Sequence, residues 1–261
     1  MKRRQVQERT LDDMYDIYID TKDDVNVNKE FEIKFGTKGK NAITKIKYQN
    51  VIKRLLSHGF VALPNSYMLR IMNEYTDNEG GTRESNIRTE LEGLEDIQQY
   101  CKTNEIVNRE TGEIELFVDF VQKQYPKIAN EQILYPADVQ DYNFRVSLAN
   151  EITYHQGSGL VKQTIDQWNE SKKSFRYINR IRFQHSEYPL YVDCSVVKTS
   201  KKQGFKLIPE YTIQEANVFQ NFEGYEIEIE LNNAEINKYT SKAVSYTHLD
   251  AADEEDSVDL G

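Results

Sequence analysis

Two segments far apart in the chain alternate strictly between charged and apolar residues. Residues 30–36 read EFEIKFG, and residues 225–231 read YEIEIEL. Successive side chains of a β-strand point to opposite faces, so each segment predicts a strand with one charged and one apolar face. The charged faces carry Glu30, Glu32, Lys34, Glu226, Glu228 and Glu230. The chain is therefore expected to present two sets of carboxylates on amphipathic strands.

Further strands are predicted along the body of the chain, with a few helices between them. Period-two alternation predicts strands at residues 66–75, 85–91, 142–152, 174–185, 190–199 and 205–209. Helical spacing predicts helices at residues 44–58, 94–102, 116–124 and 161–171, the first of them ending before Gly59. Antiparallel β-structure is thus expected to dominate the fold.

The two ends of the chain differ in composition from its body. Residues 1–28 are polar, and we interpret them as an arm, or a weak helix at 9–18, that lies outside the core. Residues 243–261 are acidic and contain no Lys or Arg, which is typical of a disordered tail or an extraneous extension. A metal site built from the Ser, Thr and Asp residues of the tail is a weaker alternative. The predicted domain spans residues 29–242.

Charge and cysteine content limit the classes of partner and compartment. The net charge of −10 argues against a broad basic face for duplex nucleic acid but leaves a confined basic pocket open. Cys101 and Cys194 are the only cysteines, which excludes a disulfide framework and a four-thiolate zinc site and favours a reducing compartment. No apolar run is long enough for a signal peptide or a membrane span. We expect a soluble intracellular protein with no membrane partner.

The glutamate strands have two readings. Either strand alone is explained as half-exposed, with its glutamates in water. If the two strands are neighbours in a closed sheet, five carboxylates converge, and like charges across strands destabilise a sheet unless something neutralises them. Oxygen ligands without nearby His or Cys favour Mg²⁺ or Mn²⁺, and Mg²⁺ commonly shares its shell with phosphate oxygens. The pair of strands therefore predicts a divalent cation and a phosphate substrate.

Basic residues recur on the other predicted strands. They are Arg70, Arg88, Arg145, Arg176, Arg180 and Arg182. By parity Arg145 shares a face with Ser147 and Glu151, and Asp193 shares one with Ser195. Each arginine alone is more often solvated or half of a weak surface ion pair. If most of them face into a closed barrel, they form a basic wall suited to a linear triphosphate, because guanidinium groups bind phosphate oxygens bidentately.

With these segments in this order, the chain resembles the triphosphate tunnel metalloenzymes, specifically the metal-dependent RNA triphosphatases of fungal, protist and large-DNA-virus mRNA capping systems. EFEIKFG and YEIEIEL carry the resemblance over residues 29–231, supported by RVSLANE, FRYINRIRF and YVDCSVVK. The resemblance implies a mainly β, α+β fold: a closed antiparallel eight-stranded β-barrel, the triphosphate tunnel, with flanking helices.

The resemblance also implies roles for individual residues. Glu30, Glu32 and Glu230 would hold the metal, while Glu226 and Glu228 would assist it or accept a proton from water. The phosphate site would be lined by Arg145, Arg176, Arg180 and Arg182, and the groups orienting them or the attacking water would be Glu151, Asp193 and Ser195. Further candidates for substrate binding are Lys34, Arg70, Arg88 and Lys198. Ile178 departs from the family pattern, which often has a basic residue there.

The implied activity is removal of the γ-phosphate from the 5′-triphosphate end of RNA, with Mg²⁺ or Mn²⁺ as cofactor. Implied partners are the RNA end and guanylyltransferase and methyltransferase domains or subunits of a capping apparatus. One alternative is a hydrolase of inorganic tripolyphosphate or thiamine triphosphate, or a polyphosphate polymerase, since the tunnel recognises the phosphate chain more than its attachment. Another alternative is a barrel that binds a phosphorylated or nucleic-acid ligand without metal or turnover.

Overall fold

Strands make up most of the computed structural model, which describes residues 2–21, 28–36, 42–76, 80–108, 110–111, 114, 116–128, 132–204 and 206–236. The strands are β1 (Asn28–Phe35), β2 (Val61–Ala62), β3 (Ser66–Thr76), β4 (Thr82–Glu92), β5 (Val118–Gln124), β6 (Ala137–Val139), β7 (Phe144–Tyr154), β8 (Lys173–Gln184), β9 (Leu190–Thr199), β10 (Lys202–Gln203), β11 (Lys206–Leu207) and β12 (Gly224–Leu231). The helices are α1 (Lys2–Thr21), α2 (Lys45–Ser57), α3 (Leu94–Thr103) and α4 (Gly159–Asp166).

Eight of the strands close into an antiparallel barrel, as predicted. Their order is β1, β12, β9, β8, β3, β4, β5, β7, and β7 pairs again with β1 to complete the ring. The short strands β2 and β6 add to β8 and β7 outside this ring. Closure matters for the site because the two glutamate strands, β1 and β12, become direct neighbours although they lie near opposite ends of the predicted domain.

The helices cover the outer face of the barrel, where the apolar side chains of the strands lie. Tyr48 of α2 packs with Phe183, Val192 and Ile227 from three adjacent strands. Thr44 caps this helix by accepting a hydrogen bond from the backbone nitrogen of Lys47 at 3.3 Å. Helices α3 and α4 cover a second apolar cluster that includes Ile97, Tyr100 and Val161. The apolar cores therefore lie outside the ring and leave its interior to the charged faces.

Residues 2–21 form helix α1, as one of the two interpretations predicted, but this helix packs on the barrel, so its placement outside the core was wrong. Met14 and Tyr18 of α1 are fully buried against Val146 and Leu148 of β7. The ring of Tyr18 also contacts that of Phe31, with centroids 5.5 Å apart. Met14 and Tyr18 are four residues apart and thus share one helix face. The polar residues around them concealed this stripe in the sequence.

The other predicted elements agree with the structure except at a few places. Residues 116–124 were expected to be helical, but they contain β5, because their dense apolar residues fit both periods. The helix expected at 161–171 begins at Gly159 and ends at Asp166. The strand expected at 205–209 is reduced to β11, and β2, β6 and β10 were not predicted. The acidic tail at 243–261 lies outside the described residues, and the domain limits stay predictions.

Within the described part of the chain, no helix has both the length and the apolar character needed to cross a membrane.

Candidate active site in the barrel interior

The interior of the barrel holds a cavity of about 240 Å³ that is lined entirely by ionisable side chains. All eight ring strands contribute, because each turns one of its two faces inward. Six of the lining residues are acidic and six are basic. They are Glu30, Glu32, Lys34, Arg70, Arg88, Lys123, Glu151, Arg176, Arg180, Asp193, Glu228 and Glu230. Such a lining favours a small, highly charged ligand over an apolar one.

An acidic group forms where β1 meets β12. Glu32 lies directly opposite Glu230 in the strand register. The ammonium group of Lys123, on β5, donates to Glu30 Oε2 at 2.8 Å and to Glu32 Oε1 at 2.9 Å. Burial would lower the pKa of Lys123, but the two carboxylates outweigh it and raise that pKa. Ser147 Oγ also donates to Glu32 Oε1 at 2.8 Å.

Glu230 completes this group and is paired with Arg182 instead of Lys123. Burial raises the pKa of Glu230 to about 6, with the charges of Glu30 and Asp193 adding to the effect of burial and Arg182 opposing it. Three carboxylates from two adjacent strands thus share one partly desolvated region. Among the described residues, however, no three His, Cys, Asp or Glu side chains are already arranged as a metal site. Here Lys123 neutralises two of the carboxylates.

The remaining glutamates of β12 are bound to cations. Lys34 Nζ donates to Glu226 Oε2 at 2.7 Å and to Glu228 Oε1 at 2.6 Å. Arg176 Nη2 donates to the same oxygen of Glu226 at 2.5 Å. Burial alone would raise the pKa of Glu226, but Arg176 and Lys34 outweigh it and lower that pKa to about 2. Glu226 is therefore a fixed anion at neutral pH.

A basic group faces the acidic one from β3, β4 and β8. Arg70 lies directly opposite Arg176 in the register of β3 and β8. Burial lowers the pKa of Arg70, although the carboxylate of Glu90 acts to raise it. The guanidinium groups of Arg88, Arg180 and Arg176 lower this pKa further. Like charges placed across strands destabilise a sheet. The crowding of these guanidinium groups therefore marks a place where an anion binds favourably.

Buried carboxylates hold the arginines in position. Asp193 accepts two hydrogen bonds from Arg182, each 2.7 Å long. It also forms an ion pair with Arg180, whose Nη1 lies 3.0 Å away. Arg180 Nε also lies 3.3 Å from Ser195 Oγ, and Arg182 reaches Glu230 Oε2 at 2.5 Å. A side chain held by two or three such bonds loses little freedom when a ligand arrives.

A second carboxylate, Glu90 on β4, also holds arginines in position. Its Oε1 lies 2.7 Å from Arg70 Nε and 2.5 Å from Arg88 Nε. Arg88 also donates to Glu151 of β7. These contacts raise the pKa of Arg88 against the effect of burial, which would lower it. Arg88 therefore joins the basic group to the strand that borders Glu30 and Glu32.

The structure brings most of the predicted residues together, with two exceptions. Lys198 lies on the outer face of β9, where its Nζ donates to the carbonyl of Phe219 at 2.7 Å, so its assignment to the substrate site was wrong. It differs in parity from Asp193 and Ser195, and the sequence already held that information. Arg145 has the inward parity but lies at the rim, half exposed, and is bound to Asp138 of the unpredicted strand β6.

Two residues of the site were missed by the sequence reasoning. Lys123 was placed on a helix that does not exist, although the parity it shares with Asp119 on β5 would have shown it as inward-facing. Glu90 follows Arg88 by two residues, the spacing of a shared strand face, but only Arg88 was selected. Ile178 lies on the inward face between Arg176 and Arg180, so an apolar gap interrupts the basic side of β8.

Comparison with solved structures identifies this architecture. The RNA triphosphatase domain of the mimivirus mRNA capping enzyme aligns over 90% of this chain and 92% of its own, with a TM-score of 0.51 and 15% identity. A triclinic structure of the mimivirus capping enzyme triphosphatase gives a TM-score of 0.51, with 16% identity over 89% of this chain and 93% of its own. The chain has the triphosphate tunnel fold.

A third structural comparison is weaker. The S. pombe Pct1 RNA triphosphatase aligns over 91% of this chain and 84% of its own, at a TM-score of 0.45 and 12% identity. The likeness in fold therefore rests on the two mimivirus structures. No protein-family model matches the sequence, and no curated protein matches it at a significant level.

Proposed function

We propose that the protein is a metal-dependent polynucleotide 5′-triphosphatase that removes the γ-phosphate from 5′-triphosphate RNA ends, as in the first step of mRNA capping. One observation carries the proposal: the tunnel contains two like-charge pairs on adjacent strands, Glu32 opposite Glu230 and Arg70 opposite Arg176. Each pair is unfavourable by itself. A divalent cation relieves the first and a phosphate chain relieves the second. The shared fold with two RNA triphosphatase structures supports the same activity.

Glu30, Glu32 and Glu230 would hold the cation. Their donor set consists of carboxylate oxygens, which suits Mg²⁺ or Mn²⁺. The raised pKa of Glu230 fits this role, because it reflects negative charge that is not fully compensated. When bound, such an ion neutralises charge on the transferring phosphoryl group and polarises its oxygens. Lys123 shares the oxygens of Glu30 and Glu32, so it would shift towards the phosphate groups when the ion binds.

The basic side of the tunnel would bind the triphosphate. Arg70, Arg88, Arg176 and Arg180 surround the cavity opposite the acidic group. Arg182 lies between Asp193 and Glu230, which places a guanidinium group at the boundary between the acidic and basic regions. In phosphoryl transfer, charge spreads over the oxygens of the transferred group, and preorganised cations stabilise that charge. Asp193, Ser195, Glu90 and Glu151 act as positioning residues for these cations.

The reaction needs one water molecule and no covalent intermediate. The water oxygen bonds to the γ-phosphorus, the bond from that phosphorus to the bridging oxygen breaks, and inorganic phosphate leaves a diphosphate end. Glu228 is our candidate to accept the proton of the water, because it lines the cavity beside Lys34 and Arg180. Glu226 is held more firmly between Lys34 and Arg176, so its part is to fix these two cations.

We assign the protein to an mRNA capping apparatus. Its partners would then be the 5′-triphosphate RNA end and the guanylyltransferase and methyltransferase functions that use the diphosphate end. A viral factory, a virion or the cytoplasm would be the site of action in a virus, and the nucleus would be the site in a cell.

Hydrolysis of a small triphosphate is the second candidate, and the composition of the cavity favours it. Every residue that lines the 240 Å³ cavity is ionisable, so this cavity recognises phosphate groups and not what they are attached to. Inorganic tripolyphosphate would be bound by the same cations. Discrimination between the two substrates must come from groups outside the tunnel.

The test is the release of labelled γ-phosphate from a short 5′-triphosphate RNA in the presence of Mg²⁺ or Mn²⁺. The proposal expects inorganic phosphate and a diphosphate RNA end as the products, with no pyrophosphate and no release in excess chelator. Inorganic tripolyphosphate serves as the competing substrate. Failure to release phosphate from either substrate, with the protein folded and both metals tried, would show that the tunnel is a binding site only.

A further inference from the structure

A second cavity opens beside the tunnel at one end of the barrel. Strand β9 ends at Thr199 where β12 begins at Gly224, and we call this the Thr199 end. The cavity there measures about 560 Å³, and Arg176 and Glu226 line it together with Lys201 and Lys202. Arg176 also lines the tunnel, so the two spaces share a wall. A phosphate group bound at Arg176 in the tunnel would therefore lie next to this cavity.

The opposite end of the barrel has a different chemical character. A cavity of about 560 Å³ also lies there, where β9 begins at Leu190. Its lining includes His185, Tyr188 and Glu235 but, among the described residues, no Lys or Arg. A polyanion is therefore attracted to the Thr199 end and not to the Leu190 end.

An aromatic residue projects into solvent at the Thr199 end. Phe222 lines the cavity and is 100% exposed, so its phenyl ring gains none of the free energy that burial would give. Its backbone is fixed from both sides. The side-chain nitrogen of Asn221 donates to the carbonyls of Thr199 at 2.8 Å and Ala216 at 3.3 Å, and Gly224 starts β12 two residues later. The neighbouring contacts thus hold the backbone of Phe222 at the cavity, and its ring is open to stacking.

Two lysines flank this surface. Lys202 lies on the β10–β11 hairpin, where it pairs with Leu207. Lys201 precedes it, and its Nζ lies 2.9 Å from the side-chain amide of Asn217, which can accept its hydrogen bond. The carboxylates of the cavity are already engaged: Glu223 accepts a hydrogen bond from Tyr225 at 2.7 Å, and Glu226 is paired with Lys34 and Arg176. The remaining positive charge suits the phosphates of a nucleic acid strand.

We infer that this cavity binds the first nucleotides of a single-stranded RNA whose 5′-triphosphate occupies the tunnel, with a base on Phe222 and backbone phosphates beside Lys201 and Lys202. The inference rests on the proposed function and adds to it the source of discrimination between RNA and small triphosphates. Stacking on an exposed ring tolerates any base, as a capping substrate requires, and lysines bind phosphates without reading sequence. Tyr75 and Tyr142 are further exposed aromatic residues at the same end of the barrel.

The first test compares two substrates on one variant. kcat/KM is measured for a short 5′-triphosphate RNA and for inorganic tripolyphosphate, using the native chain and Phe222→Ala. We expect the ratio of the RNA value to the tripolyphosphate value to fall about tenfold, mainly through KM for RNA, because one stacked base contributes roughly that much to binding. Tyr188→Ala removes an aromatic residue that is 47% exposed at the Leu190 end; it is the control and should leave the ratio unchanged.

The second test measures binding without turnover. The probe is a short single-stranded RNA ending in a 5′-diphosphate, and its affinity is followed as the salt concentration rises. Replacing Lys201 and Lys202 by alanine should make the plot of log affinity against log salt shallower by about 0.7 for each RNA phosphate that is no longer neutralised. An unchanged slope, or an unchanged substrate ratio for Phe222→Ala, would overturn the inference.

The two proposals fail in distinguishable ways. If the native chain hydrolyses tripolyphosphate and RNA but Phe222→Ala leaves their ratio intact, only the inference about the cavity is wrong. If the native chain hydrolyses neither substrate, the enzymatic proposal is wrong, and the diphosphate RNA still reports whether the cavity binds a strand. A change in oligomeric state of Phe222→Ala without any change in RNA binding would show that Phe222 contacts protein and would also overturn the inference.

Discussion

Glu32 of β1 and Glu230 of β12 lie directly opposite each other inside the barrel, on strands that nearly 200 residues separate in sequence. Two carboxylates facing each other in this way oppose folding unless a cation lies between them. Lys123 supplies part of that charge from β5. In the proposed function, Lys123 would stabilise these carboxylates until a divalent cation binds.

Metal binding should stabilise the native protein and should require Glu230. We expect Mn²⁺ or Mg²⁺ at a hundredfold excess over its dissociation constant to raise the free energy of unfolding by about 2.7 kcal/mol. Glu230→Gln keeps the shape of the side chain but removes a charged ligand, so most of this increase should be lost. Chemical denaturation with and without metal measures the difference. Glu170→Gln, at an exposed position beyond α4, is the control and should respond to metal like the native chain.

Lys123 and the metal should compete for the same oxygens. Lys123→Gln removes the ammonium group that contacts Glu30 and Glu32, so the two carboxylates become more available and Mn²⁺ should bind about tenfold more tightly, a difference of about 1.4 kcal/mol. Titration calorimetry measures the affinity. Lys198→Gln removes the same charge from the outer face and should leave the affinity unchanged. Weaker Mn²⁺ binding by Lys123→Gln would mean that Lys123 supports the site instead of competing for it.

Glu226 should contribute to stability in a pH-dependent way. Arg176 and Lys34 overcome the effect of burial and lower its pKa from the ordinary 4.5 to about 2. A lowered carboxyl pKa gives stability that is complete above the unfolded value, near 4.5, and is lost as the pH falls towards 2. Glu226→Gln should therefore cost at most about 3 kcal/mol at pH 7. The cost should shrink steadily below about pH 4.5 in urea unfolding curves.

The control for this series is Glu92→Gln, which changes an exposed glutamate at the end of β4. This substitution should lower the free energy of unfolding only slightly at every pH. An effect of Glu226→Gln that stayed constant from about pH 7 to about pH 3 would contradict the ion-pair explanation.

Asp193 should be the most sensitive carboxylate of the tunnel for folding. It is only 2% exposed and is bound by both Arg180 and Arg182. Asp193→Asn keeps the shape but leaves two guanidinium groups with an uncharged partner, and breaking a buried ion pair typically costs about 3–5 kcal/mol. Equilibrium unfolding provides the measurement, and Asp166→Asn at the exposed end of α4 provides the comparison. If Asp193→Asn lowered the free energy of unfolding less than Asp166→Asn does, Asp193 would not be holding the arginines in position.

Period-two alternation predicted most of the long strands of this protein. Each barrel strand has one charged face and one apolar face along its whole length, which produces this pattern. EFEIKFG and YEIEIEL show that pattern without interruption, and both matched strands of the structure. Where the pattern is mixed it failed: the dense apolar residues of 116–124 fit a helix as well as a strand, which concealed Lys123. Three-residue strands such as β6 carry almost no periodic signal, so the contact of Arg145 with Asp138 could not be foreseen.

Pairing between distant strands could not be predicted from local sequence patterns either. The facing of Arg70 and Arg176, and of Glu32 and Glu230, depends on strand order and register, which closure of the barrel determines. The apolar stripe of Met14 and Tyr18 was likewise too short to stand out from the charged residues around it. Lys198 is different, because its parity relative to Asp193 was visible in the sequence and was not applied.

Release of γ-phosphate from 5′-triphosphate RNA by variants at the two like-charge pairs tests the central claim most directly. Glu32→Gln and Arg70→Met should each lower kcat/KM by about a hundredfold or more, because each removes a charge that stabilises the transferring phosphoryl group. Lys198→Gln, which changes a basic residue outside the tunnel, should leave it at the native value. If Glu32→Gln and Arg70→Met fold normally and still release phosphate at the native rate, the barrel interior is not the active site.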